Sequence, residues 1–129
     1  MRMICTATSG FIIWFLGGHD YLLTALFVLV FVDFFTGWMK AIIKKELSSN
    51  IGWRGSAKKV MTFVLVGMSH MIGYYVINDG GIIRSIVIVF YISNEGLSIL
   101  ENASAMGVNL PNKLKNLLLQ LNQDGKERD

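Results

Sequence analysis

With 129 residues, 53% of them hydrophobic and only 16% charged, the chain is far more apolar than a soluble domain, in which about a quarter of residues are charged. A mean hydropathy of +0.49 and the lack of a long polar stretch indicate one membrane-embedded domain over residues 1–129 and exclude a separate soluble module. The net charge of +3 is small, and the single cysteine, Cys5, excludes an intrachain disulfide or a Cys-x-x-Cys metal cage.

The first apolar stretch, residues 3–16, is short and carries Thr6, Thr8 and Ser9. At that length it is either a thin span or an interfacial helix. No Ala-x-Ala site follows it, so a cleaved signal peptide is not expected. Gly17-Gly18-His19-Asp20 forms a turn, and the second stretch, residues 21–43, is long enough to cross a bilayer, which takes roughly 20 apolar residues. Within it Asp33, Thr36, Gly37 and Lys40 recur at i, i+3, i+4 and i+7, on one side of a helix.

A hydrophilic segment follows, in which Lys40, Lys44, Lys45, Arg54, Lys58 and Lys59 are opposed by Glu46. Such a basic run could suggest nucleic acid, but between two apolar spans it reads as a cytoplasmic loop under the positive-inside rule. The third span, residues 60–77, offers Ser69, His70 and Gly73 on neighbouring positions. Asn78-Asp79-Gly80-Gly81 turns the chain into the fourth span, residues 82–100, where Arg84 can snorkel to the outer headgroups. Asn94, Ser98 and Glu101 share a sector of this span, with Glu95 and Asn102 beside it. Ionisable groups at membrane depth are functional candidates by default, and Asp33 and Glu95 lead that group. For Thr36, Ser69 and Ser98 the simpler role is an interhelical hydrogen bond, and the glycines suit close helix packing.

After the fourth span, Pro111 and the leucines at 110, 114, 117, 118 and 121 define an amphipathic helix over about residues 111–123. It would lie on the inner leaflet or pair with a copy of itself. The whole is an all-α integral membrane protein with three to four transmembrane helices and a C-terminal amphipathic helix. Both short turns lie outside and the C-terminus is cytoplasmic. No nucleophile motif, phosphate-binding loop or metal-ligand pair is present, so neither an enzyme nor a cofactor is expected.

Several strings, taken in order, resemble one family. They are Gly17-Gly18-His19-Asp20, Asp33-Phe34-Phe35-Thr36-Gly37, Leu47-Ser48-Ser49-Asn50-Ile51-Gly52 with Gly55 and Lys58-Lys59, and the long run from Phe90 to Asn102, followed by Gly107 and Pro111. They are similar to bacteriophage holins of the toxin-secretion and phage-lysis type, which include holin-like proteins of clostridial toxin loci. The stretch before Gly17 follows no fixed family pattern, and Gly73 stands where family members often carry an acid, which argues against an ion pair through His70.

The resemblance implies a protein of the bacterial inner membrane that forms homo-oligomeric lesions, times host lysis and works with an endolysin or secreted toxin without a stable complex. Asp33 and the Asn94, Glu95, Ser98 and Glu101 face would line oligomer contacts or the lesion wall. Met1 and Met3 could serve as paired starts differing by the charge of Arg2, as some holins use. The competing readings are a small multispanning transporter, with Asp33 or Glu95 binding a proton or cation, and an antiholin or toxin-release accessory protein. The lipid bilayer and other copies of the chain are the expected partners, and nucleic acid is not.

Overall fold

The computed structural model describes residues 1–45 and 49–128, the side chains of residues 49–53, 125, 127 and 128 excepted. It is all helical among the described residues: α1 (Arg2–Phe15), α2 (Tyr21–Lys44), α3 (Ser49–Met71, continued by a π-helical turn, Ile72–Ile77), α4 (Ile82–Ala105) and α5 (Asn112–Arg128). Three of these are long and apolar enough to cross a membrane: Tyr21–Lys44, Arg54–Ile77 and Ile82–Ala105, each of 24 residues. At 1.5 Å per residue each measures about 36 Å, more than the roughly 30 Å hydrocarbon core. At 14 residues, α1 is too short for that class, and its surface is exposed up to Trp14.

The helix ends follow from local chemistry. Asp20 caps α2 by accepting the Leu23 N–H at 2.9 Å, the preferred role of a short acidic side chain at that position. The Asp79 carboxylate accepts the N–H groups of Gly81 and Ile83 at 2.8 and 2.9 Å, so α4 also starts on an acid. Upstream, the N–H of Asp79 donates to the Gly73 carbonyl at 2.9 Å, closing the wide turn that ends the third span. At Gly17 the backbone has φ +92°, open to glycine and strained for other residues.

Packing is concentrated in the half of the bundle nearest the two short turns. Leu16, Leu23, Leu26, Val66 and Ile88 form its buried core. Gly67 admits the Phe15 ring, since a Cβ there would overlap it, and this contact joins α1 to α3. Around the outside, Phe27, Phe31, Phe34, Phe35, Trp38 and Ile42 of α2 and Val60, Met61, Val64 and Met68 of α3 are exposed. Apolar surface on that scale suits hydrocarbon as the solvent.

Two expectations are corrected here. The third span does not begin at Val60 after a loop: α3 starts at Ser49, so Arg54, Lys58 and Lys59 are helical, and Lys40 and Lys44 close α2. Of the basic set, Lys45 alone stands at a turn, as the left-handed cap of α2. Glu46, Leu47 and Ser48 lie outside the described residues, as do the side chains of the rest of the Leu47–Gly52 string. Nor does Arg84 reach outward to headgroups. It is 6% exposed and donates to the Leu16 carbonyl at 2.6 Å, to Asp20 Oδ2 at 2.6 Å and to the Gly18 carbonyl at 3.1 Å. Carbonyls freed by the glycine turn make an internal site for its guanidinium that competes with water.

Candidate functional site

The deepest polar cluster joins all three long helices. Lys59 Nζ of α3 donates to Asp33 Oδ2 of α2 at 2.7 Å and to Glu95 Oε2 of α4 at 3.0 Å. Ser98 Oγ donates to Asp33 Oδ1 at 2.7 Å. Asn102 Nδ2 lies 3.2 Å from the same oxygen and 3.0 Å from Thr36 Oγ1, while the Thr36 hydroxyl donates to the Asp33 carbonyl at 3.1 Å. Asp33, Glu95 and Asn102 are each 7% exposed. Gly37 faces Asn102 across this contact, and a Cβ there would meet Nδ2 at 3.6 Å, an ordinary van der Waals distance.

Sequence explains the convergence once the helices are in register. On α4, Glu95, Ser98 and Asn102 are spaced i, i+3 and i+7, within about 60° of one another. On α3, Lys59 continues a buried stripe through Thr62, Val66, Ser69 and Gly73. That stripe was the readable sign that Lys59 belongs inside the bundle, and the basic character of its neighbours masked it. In a low-dielectric setting, two carboxyl groups on one ammonium, with further donors on Asp33, form a cross-link that holds three helices at one depth.

Other anticipated residues are placed elsewhere. Glu101 is exposed and takes no part; Asn102, read as lying beside the polar sector, occupies the inward position. Asn94 faces α5, where the Asn122 amide donates to Asn94 Oδ1 and, at 3.1 Å, to Ser93 Oγ. Ser69 donates to the Val66 carbonyl of its own helix at 2.6 Å. His70 lies tilted against Tyr74 and edge-on to Tyr75, with ring centroids 5.5 and 6.5 Å away, and sits against the Gly17 turn. Sequence reasoning did not anticipate the internal roles of Lys59, Asn102, Arg84 and Asn122.

Chemically the cluster cross-links helices. Among the described residues no group of three or more His, Cys, Asp or Glu side chains could hold a metal ion.

Comparison with known proteins places this architecture. The model of the bacteriophage holin family matches residues 10–123, from the end of α1 through most of α5. The chain belongs to that family. Among its relatives, a 14.9 kDa protein in the nagH 3′ region of Clostridium perfringens is 44% identical over 109 residues, covering 84% of this chain and 83% of the relative. A probable holin of Bacillus phage phi105 is 32% identical over 114 residues, covering 88% and 84%. Protein YqxH of Bacillus subtilis is 34% identical over 115 residues, covering 89% and 81%. No solved structure matches the chain. Within the holin match fall all three spans and every residue of the ionic cluster.

Proposed function

We propose that this holin-family chain acts in the cytoplasmic membrane of bacteria, where copies assemble into lesions that time lysis and give an endolysin access to the cell wall. The observation that carries the reading is the family match over residues 10–123, coincident with three helices of spanning length. A buried Asp33–Lys59–Glu95 cross-link is consistent with it. The cross-link holds each protomer compact, and its polar groups, with Thr36 and Ser98, supply the lesion wall when neighbouring helices part. The same reading makes the chain non-enzymatic and independent of any cofactor. An endolysin or secreted toxin is its functional partner, without a stable complex.

Lys40, Lys44, Lys45, Arg54 and Lys58 gather near the α2–α3 connection, which the positive-inside rule assigns to the cytoplasm. The turns at residues 17–20 and 78–81 then face outward, and α5 returns to the cytoplasmic side. The test is induced expression in a bacterium with and without a co-expressed endolysin, followed by a potential-sensitive dye and by turbidity. Abrupt depolarisation, with lysis when endolysin is present, is expected. Substrate-dependent flux without depolarisation would replace this reading with a transporter.

A further inference from the structure

Among the described residues the C-terminal helix packs chiefly on α4. α5 runs antiparallel to α4, with Leu118 seated over Gly96, where a Cβ would collide with its methyl groups. One turn further on, the buried Asn122 amide donates to Ser93 and Asn94. Leu114, a turn before Leu118 on the same stripe, and Leu117 and Leu119, on its two flanks, are exposed.

Depth makes this contact conditional. Ser93 lies 11 residues into α4, about 17 Å at 1.5 Å per residue, close to the middle of a roughly 30 Å hydrocarbon core. Docked α5 therefore carries Asp124 and Lys126, both exposed, toward mid-depth on the lipid side, which disfavours the contact once α4 is fully threaded. Released, α5 can lay its leucines on the inner leaflet and leave Lys113 and Lys115 among headgroups. Ser93 keeps its bond to the Phe90 carbonyl at 2.6 Å, but Asn94 loses the Asn122 amide, and hydrocarbon offers it no replacement. The same face on another α4 offers one: its amide both donates and accepts, and Gly96 permits close approach.

We propose that α5 is a releasable cover over the α4 face through which two copies of this chain join, so that departure of α5 exposes Ser93, Asn94 and Gly96 to a second copy. This deepens the assembly reading above and rests on it for the lysis readout.

The test uses the full chain carrying Cys5→Ser, with Ser93→Cys and Asn122→Cys singly and together, and a membrane-permeant oxidant. Expected results are an intrachain disulfide in the double variant, no self-association by crosslinking or by energy transfer between labelled copies, and no lysis until a reductant is added. A disulfide-closed protein that associates or lyses on schedule overturns the cover, as does failure to form the disulfide. Leu118→Ala, which leaves the α4 face intact, should raise self-association severalfold and advance lysis; unchanged values at equal protein level also overturn it. If the unmodified chain associates but never lyses, the lysis function fails, and the association measurements alone decide for or against the cover.

Discussion

At the scale of single residues, Lys59 is the pivot of the membrane-depth cluster. Two carboxyl groups share its ammonium, so Lys59→Met leaves both without it, whereas Glu95→Gln preserves the Lys59–Asp33 pair. Removing one partner of a buried ion pair costs about 3–5 kcal/mol, against about 1–2 kcal/mol for weakening a hydrogen bond. Thermal unfolding in detergent should therefore rank Lys59→Met well below Glu95→Gln, and the double variant should be less damaged than the two losses combined. Equal losses would mean that the ammonium does not bridge. Glu95→Gln should also shift lysis timing at equal protein level. A second contrast isolates sterics. Gly17 and Gly18 have nearly the same φ, +92° and +94°, but only a Cβ at Gly17 meets Arg84 and His70, while Gly18 faces open space. Gly17→Ala should thus cost more than Gly18→Ala by about 1–3 kcal/mol in the same assay, the cost of forcing a methyl group into packed side chains.

At the scale of elements, the long helices begin or end on polar contacts that can be titrated. Arg84, donating to the Asp20 carboxylate, holds that group below the usual carboxylate range, and the Leu23 N–H adds to the effect. Asp79 is lowered likewise, first by the Ile83 N–H. A depressed folded-state value means that the stabilisation is complete above the unfolded value, about 3.9 for Asp. It is lost as pH falls through the lower, folded value. The stability difference between the parent and Asp20→Asn should therefore be constant from about pH 7 to pH 5 and shrink below about pH 4. A difference that changed around neutrality would point to another group. Asp20→Ala, which also removes the α2 cap, should cost about 1 kcal/mol more than Asp20→Asn.

For the whole molecule, lipid is part of the fold. The outward aromatic and aliphatic side chains of α2 and α3 have no protein partner large enough to cover them in one copy, so the bundle should remain in the membrane pellet after alkaline carbonate extraction. Orientation can be read with single cysteines in a Cys5→Ser chain. His19→Cys should react with an impermeant maleimide added outside intact cells, and Lys44→Cys should react only after permeabilisation. The reverse pattern would invert the topology drawn from the basic residues. Much of this scale was legible beforehand, since length, apolarity and turn strings identified the three long helices within a few residues, apart from the start of the third.

What the sequence determined by itself was the all-helical membrane class, the positions of the turns and the presence of costly polar groups at Asp33 and Glu95. Those properties accumulate locally: each residue's transfer cost and each turn's backbone preference are fixed by its own chemistry and near neighbours. Tertiary structure decided which polar groups meet. Lys59 turned from loop anchor into cross-link, Asn102 took the inward position expected of Glu101, Arg84 was captured by the Gly17–Asp20 turn, and Asn94 was met by Asn122. Each pairing depends on the rotation and axial offset of one helix against another. Packing of Leu23, Leu26, Val66 and Ile88, and close approach at Gly96, set that register, and no single helix encodes it.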